Sequence, residues 1–113
     1  MNQTKINEEL ILNYWKSWQV PDWSEMRSCL ADQFSFGGLT MDSDEFVAMC
    51  QAGNPWNNVQ LLSSIFNEHG GALLYEGYDT GLERVVRVGE FITVQDNLIT
   101  GSIASFGTGQ PPQ

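Results

Sequence analysis

Residues 84–94 most constrain the fold, because apolar side chains recur there at every second position. The alternate series that begins at Val86 contains only valine and isoleucine apart from one acid, Glu90. Such period-two alternation is typical of a β-strand with one buried face. A carboxylate on a buried face is unfavourable unless it is hydrogen-bonded, paired or protonated. The sequence therefore predicts that Glu90 faces the interior with a specific role, the alternative being a carboxylate at the sheet rim, solvated or paired with Arg84 or Arg87.

The patterns around this strand predict an α+β domain. Residues 4–19 carry apolar side chains at helical spacing, and this helix must end before Pro21. Capping patterns that begin at Asp22 and Asp42 predict two more helices. Helices followed by a meander of antiparallel strands favour an architecture in which the helices cover one face of a bent sheet. The predicted strands are residues 33–36, ended by Gly37-Gly38, then 59–68, 72–79, 84–94 and a last strand from residue 98.

Length and composition indicate one globular domain. The chain has 113 residues, of which 42% are hydrophobic, and this matches the common domain size with no second core. We expect the domain to span residues 1–107, and the Gly- and Pro-containing residues 108–113 to form a flexible tail. The formal net charge of −9 repels phosphate backbones, so nucleic acid is not an expected partner.

Several kinds of site and location are not expected from this sequence. No run approaches the roughly 18 apolar residues of a membrane span, and the first residues lack the layout of a signal peptide. We therefore expect a cytoplasmic protein with no membrane partner. One histidine and two cysteines without metal-ligand spacing predict no metal site. The histidine, His69, falls in a predicted hairpin turn, where we expect it to be exposed.

The order of the elements and several local patterns resemble the nuclear transport factor 2-like superfamily over residues 6–107. The resemblance is carried by residues 13–18, 22–26, 30–36 and 89–99. Members of the superfamily include ketosteroid isomerase, limonene epoxide hydrolase and the SnoaL-like polyketide cyclases. The resemblance implies a cone-shaped, cystatin-like fold, in which three N-terminal helices pack on a curved, mostly antiparallel sheet around a pocket. It does not decide the function, because the superfamily contains catalysts, binding proteins and assembly modules.

The resemblance also implies roles for two residues. Tyr14 matches the tyrosine that donates to the substrate oxyanion in ketosteroid isomerase, and Glu90 matches the protonated acid that is its second donor. The general base of that enzyme falls at Gly38, whose side chain has no proton acceptor. The epoxide hydrolase pattern is also incomplete, since the arginine expected two residues before the acid is Val88. Glu76, in the middle of a predicted strand, is a candidate second inward acid that would replace the missing base.

Aromatic side chains suggest where a ligand would lie. Concave sites for small molecules are usually lined by aromatic and apolar residues with few polar groups. Trp18 and Trp56 are candidate ligand contacts for this reason, and plain core packing is the alternative explanation of the tryptophans. Neighbours of Glu90 on its own strand and on the last strand are further candidates. The predicted ligand-binding residues are Trp18, Trp56, Glu76, Ile92, Ser102, Ala104 and Phe106.

These residues are compatible with three kinds of function. The first is a small-molecule-binding protein that holds an apolar ligand by one polar end at Tyr14 and Glu90. The second is an isomerase, cyclase or lyase that acts without a cofactor on a small carbonyl compound, with the same two residues stabilising negative charge. The third is a dimerisation module with an incidental pocket. In several members of the superfamily the outer sheet face forms a homodimer interface, and Phe91 is the expected anchor of one here.

Overall fold

The computed structural model describes residues 2–108, which form three α-helices and six β-strands. The α+β class and the order of the predicted elements are confirmed, with one additional strand. The elements in chain order are α1 (Gln3–Ser17), α2 (Trp23–Ser28), β1 (Leu30–Phe36), β2 (Leu39–Asp42), α3 (Ser43–Ala52), β3 (Trp56–Asn67), β4 (Gly70–Asp79), β5 (Arg84–Gln95) and β6 (Leu98–Thr108).

Side-chain caps determine where two of the helices begin. The carboxylate of Asp22 accepts a hydrogen bond from the backbone N–H of Glu25, and that of Asp42 accepts one from Asp44. Each aspartate is an N-cap that the sequence predicts, and each satisfies a backbone donor that the first helical turn leaves free. The end of α1 differs from the prediction, because the backbone N–H groups of residues 19 and 20 both bond to the carbonyl of residue 16 and form a turn instead.

The strands form one sheet in the order β2-β1-β6-β5-β4-β3. Neighbouring strands are antiparallel except for β1 and β6, which run parallel. The strand β2 is not among the strands predicted from the sequence, because the two glycines at 37 and 38 are expected there only to end β1. The two glycines instead form a tight turn with φ angles of 60° and 88°, across which Phe36 pairs with Leu39. Positive φ at both positions is typical of two-residue hairpin turns and favours glycine.

Several strand boundaries also differ from the prediction, since β1 begins at Leu30 rather than at residue 33 and β4 at Gly70 rather than at residue 72. Trp56 already pairs with Asp79, so β3 begins at residue 56 rather than at 59. Thr108 pairs with Val86 and belongs to β6, although the sequence assigns it to the tail. The rest of the predicted tail, residues 109–113, lies outside the described residues.

The inner face of the sheet forms a core with buried side chains of the helices. On β5, Val86, Val88, Glu90 and Ile92 are buried, whereas Phe91 is 62% exposed. This alternation confirms the predicted register of β5, in which a shift of one residue would have turned Glu90 outward. The apolar members of this face belong to one cluster with Ile11, Tyr14, Trp15, Phe46, Leu73 and Tyr75.

Candidate functional site

Glu90 is the centre of the candidate site. Its side chain is 3% exposed and its carboxyl group contacts three hydroxyl groups. The hydroxyl of Tyr75 donates to Oε1 at 2.8 Å, and the hydroxyl of Ser102 donates to Oε2 at 2.7 Å. The hydroxyl of Tyr14 donates to the same Oε2 at 3.2 Å. Three hydrogen bonds thus offset the hydration that the carboxyl group loses on burial.

The register of the sheet positions two of these three donors. Glu90 pairs with Leu73 on β4 and with Ala104 on β6. Tyr75 and Ser102 lie two residues from those partners, so they are diagonal neighbours of Glu90 on the same face. The third donor comes from the buried side of α1. The carboxyl group is therefore held by three separate elements of the fold.

A cavity of about 200 Å³ lies beside the Glu90 carboxyl group. Glu90 is the only carboxylate among the described residues that line it, and none of those lining residues is a lysine, arginine or histidine. The wall is otherwise mainly apolar and aromatic, the usual character of a small-molecule site. Its aromatic side chains include Trp18, Phe36, Phe46, Trp56, Tyr75 and Phe106.

Several of these rings pack against one another. The ring centroids of Trp18 and Trp56 are 6.3 Å apart, and those of Trp18 and Tyr75 are 5.8 Å apart. Phe36 and Phe46 form a third pair at 5.3 Å. Tilted aromatic pairs at such separations attract one another beyond the effect of burial alone. The aromatic side chains of the wall therefore support one another through direct ring contacts.

Burial shifts the ionisation of the groups around Glu90. Burial, together with the negative charge of Glu90, raises the pKa of Tyr14 well above its usual value and raises that of Tyr75 in the same way. Burial and the Glu90 charge also raise the pKa of the Cys50 thiol, which lines the cavity, to about 11. The two hydroxyl groups and the thiol consequently keep their protons at neutral pH.

Comparison with known proteins supports the fold and not a function. No protein-family profile matches the sequence, and no curated protein matches it. A solved structure of a candidate ketosteroid isomerase from Kribbella flavida superposes with a TM-score of 0.85 at 13% identity, over 100% of this chain and 86% of that one. A nuclear transport factor 2-like protein of unknown function from Mesorhizobium loti gives 0.81 at 12% identity, over 95% of each chain. The chain has the nuclear transport factor 2-like fold.

A third similar structure is a candidate polyketide cyclase from Xanthomonas campestris pv. campestris. It superposes on this chain with a TM-score of 0.72 at 20% identity, over 91% of each chain. The three similar proteins thus share one fold and carry different descriptions. A fold common to such different proteins does not identify the ligand, which must be argued from the site.

Most of the candidate residues lie at the cavity. Trp18, Trp56, Ala104 and Phe106 line it. Ser102 is buried next to it and contacts the Glu90 carboxyl group rather than the open space. Ile92 is on the expected face of β5 but is 2% exposed within the core cluster, and the structure does not bring it to the cavity wall.

Glu76 does not lie in the cavity, and its assignment as a second inward acid is wrong. On β4 the buried side chains are Leu73 and Tyr75, so Glu76 points to the opposite face of the sheet. There it accepts a hydrogen bond from the guanidinium of Arg87 at 2.9 Å. The strand has apolar residues on both faces, and the sequence prediction chose the wrong one.

Tyr75 contacts Glu90 at the candidate site but is not among the residues predicted from the sequence. One face of β4 contains Leu73 and Tyr75, and the other contains Leu74 and Tyr78. Because each face has two large apolar side chains, the sequence of β4 alone does not indicate which face is buried. The connection from β4 to β5 carries the missing signal. Asp79 pairs with Arg84, which leaves four residues in the turn, and an even number places Tyr75 on the same face as Glu90.

The two other positions considered for proton transfer, Gly38 and His69, lie away from the cavity. Gly38, the position that corresponds to the general base of ketosteroid isomerase, is in the turn between β1 and β2 and does not line the cavity. The side chain of His69 is 83% exposed and lies 3.5 Å from the carboxylate of Glu68. It is exposed in a turn, as the sequence predicts.

Two further properties concern residues 2–108 as a whole. Within this part of the chain, no three His, Cys, Asp or Glu side chains are arranged to hold a metal ion. None of its helices is both long enough and apolar enough to cross a lipid bilayer.

Proposed function

We propose that this protein binds a small, mainly apolar molecule in the cavity, with the polar end of the ligand at Tyr14 and Glu90. The helices and the sheet would enclose the ligand in a cone that is open at one end. The observation that carries this proposal is a buried carboxyl group with three hydroxyl neighbours at the wall of an aromatic cavity. An apolar space with few, well-positioned polar groups binds the body of a ligand by burial and orients it by hydrogen bonds.

Binding without catalysis is favoured by the absence of a partner for proton transfer. General acid–base catalysis requires a group that accepts a proton within hydrogen-bond reach of the substrate. Among the described residues that line the cavity, Glu90 is the only carboxylate, its oxygens already accept three hydroxyl protons, and no histidine or second acid accompanies it to complete a proton transfer. Cys50 and the two tyrosines hold their protons too tightly at neutral pH to act as bases.

A second candidate function is a cofactor-independent isomerase, cyclase or lyase that acts on a small carbonyl compound. It is supported by the contact between Tyr14 and Glu90, which resembles the donor pair of ketosteroid isomerase. In this account Glu90 carries a proton and the pair stabilises an oxyanion. If the protein turns over a ketone and Tyr14→Phe abolishes that turnover, the result would favour catalysis over binding alone.

The binding proposal is tested with 3-phenylpropan-1-ol, a neutral probe with an apolar body and one polar end. We expect calorimetric titration to show saturable binding to the native chain. Ala104→Leu adds bulk at the cavity wall beside Glu90, and it should abolish binding. Ser105→Leu introduces the same side chain on the exposed outer face of the same strand and should leave binding intact. Equal binding by both variants would show that the probe lies elsewhere.

We also propose that the outer face of the sheet mediates self-association into a homodimer. Ile65, Phe91 and Ile103 are 71%, 62% and 61% exposed. Strand pairing aligns them in one row through Ala72, because Ile65 pairs with Ala72, Ala72 with Phe91 and Phe91 with Ile103. A contiguous exposed apolar row of this kind is typical of an interaction surface, and two copies of one row are self-complementary in a twofold dimer.

A further inference from the structure

The charge of Glu90 has no cationic partner in the cavity. The described residues that line the space include no lysine, arginine or histidine. The nearest arginine in sequence, Arg87, lies on the opposite face of β5, where it is paired with Glu76. A buried carboxylate without a cation nearby is an unfavourable arrangement. A ligand that supplies the missing positive charge would relieve it.

The hydroxyl groups around Glu90 indicate which form of the carboxyl group they stabilise. Three hydroxyl donors make three contacts, two with Oε2 and one with Oε1. With an ionised carboxylate, each of the three protons is used in one contact and none is left over. Hydrogen bonds to the charged form of a carboxyl group favour that form. The cluster is therefore matched to a carboxylate.

The use of all three hydroxyl protons also determines whether the polar group of a ligand must be a hydrogen-bond donor or an acceptor. Because the hydroxyl protons of Tyr14, Tyr75 and Ser102 all point at Glu90, they are not available to a ligand. What remains is acceptor capacity, namely the second lone pair of Glu90 Oε1 and the lone pairs of the tyrosine oxygens. A ligand carbonyl would find no donor in this cluster. A ligand carboxylate would add a second negative charge beside the first.

The aromatic wall suits a cation equally well. Trp18, Trp56 and Tyr75 line the cavity, and their rings pack in contact with one another. The face of an aromatic ring, and of tryptophan above all, attracts an ammonium group within about 6 Å of its centroid. Proteins commonly recognise organic ammonium groups with aromatic rings, and Glu90 adds an opposite charge beside the rings of this cavity.

We infer that the ligand of this cavity is an organic ammonium compound, with an apolar body and a cationic nitrogen that lies against Glu90 and the tryptophan rings. This inference rests on the proposed binding function and narrows it to one class of ligand. A protonated amine would donate an N–H to Glu90 Oε1, and a quaternary ammonium would rely on the charge and on the rings. The shared chemistry in both cases is a positive nitrogen attached to a hydrocarbon.

Three probes of similar shape and different charge test this inference at neutral pH. They are 3-phenylpropylamine, which is a cation at that pH, neutral 3-phenylpropan-1-ol, and anionic 3-phenylpropanoate. We expect the cation to bind at least about tenfold more tightly than the alcohol, and the anion to bind least. Equal or tighter binding of the alcohol would overturn the ammonium assignment while leaving the proposed binding function in place. Failure of all three probes to bind would overturn both.

Matched variants separate the effect of Glu90 from that of the net charge. Glu90→Gln removes the buried charge and should reduce the preference for the cation severalfold, to the part that the aromatic rings contribute. Glu76→Gln removes the same charge from the outer face and should preserve the preference, since that side chain does not line the cavity. If Glu76→Gln also loses the preference for the cation, that preference comes from the overall charge of −9, and the inference is overturned. If Glu90→Gln does not fold, Trp56→Leu serves as the test variant instead. It should weaken binding of the cation more than binding of the alcohol. An equal effect on the two affinities would count against the ammonium assignment.

Discussion

Tyr75 donates its hydroxyl proton to Oε1 of Glu90 at 2.8 Å, from a diagonal position on the neighbouring strand. The sheet therefore supplies its own donor to the buried acid, and α1 adds a second through Tyr14. One cluster of side chains thus both stabilises the packing of α1 on the sheet and forms the polar end of the cavity. Changes in this cluster are expected to affect folding and binding together.

Removal of the Ser102 hydroxyl should destabilise the fold. Ser102→Ala deletes one oxygen and leaves a buried carboxyl group with one hydrogen bond fewer, which is expected to lower the free energy of unfolding by about 1–3 kcal/mol. Urea unfolding followed by circular dichroism measures this difference. Ser105→Ala removes the same atom from the exposed side of β6 and should change the free energy little. Equal effects of the two substitutions would contradict the role assigned to the Ser102 hydroxyl.

Cys50 should report the charge of Glu90. Its pKa of about 11 makes its thiolate at pH 8 about 100-fold scarcer than that of an ordinary thiol of pKa 9.0, and slow alkylation follows. Glu90→Gln removes a negative charge that raises this pKa, so iodoacetamide should modify Cys50 several-fold faster in that variant. The measurement uses a Cys29→Ala background, which leaves one thiol, and Glu76→Gln as the control. An unchanged rate in Glu90→Gln would mean that position 90 carries no charge.

The folded protein should lose stability as the pH rises above about 9. The pKa values of Tyr14, Tyr75 and Cys50 are all raised by burial, so the unfolded chain releases these protons at a lower pH than the folded chain. The contribution of such groups to stability is complete below their unfolded pKa values and is lost as the pH increases. For Cys50 the window lies between 9 and about 11, and for the tyrosines it begins near 10.

Urea unfolding at several pH values between 8 and 11 measures this loss. Tyr75→Phe removes one of the responsible protons, so its free energy of unfolding should decline less steeply above pH 10 than that of the native chain. A parallel decline in the two proteins would indicate that general charge repulsion, and not Tyr75, causes the alkaline loss of stability.

The outer face should self-associate through Phe91 and its neighbours. Phe91→Lys inserts a charge into the middle of the apolar row and should shift the sedimenting species from dimer to monomer. Val20→Lys is a suitable control, because Val20 is 81% exposed and lies after α1, away from the sheet. A native chain that sediments as a monomer at high concentration would contradict the proposed interface.

The register of β5 was predictable from sequence because its two faces differ strongly. One face is apolar apart from Glu90, and the other contains Arg87, Phe91 and Thr93. The register of β4 was not predictable in the same way, since Leu73 and Leu74 begin two equally apolar series. The difference led to the wrong assignment of Glu76, and only the number of residues in the following turn resolves it.

The rest of the cavity wall could not be derived from local patterns. Phe46, Met49 and Cys50 of α3 line the cavity together with Trp56, which begins β3. Their meeting depends on how α3 packs against the sheet, and no spacing within α3 indicates that contact. The hairpin at Gly37-Gly38 was missed for a similar reason, because two glycines mark a turn without indicating that a strand follows.

A crystal structure of the protein soaked with 3-phenylpropylamine would show directly whether the ammonium group of a ligand lies against Glu90. We expect density in the cavity with the ammonium nitrogen about 3 Å from Glu90 Oε1 and the phenyl ring among the aromatic side chains that include Trp18 and Trp56. An empty cavity, or a ligand whose nitrogen points away from Glu90 toward solvent, would contradict this expectation.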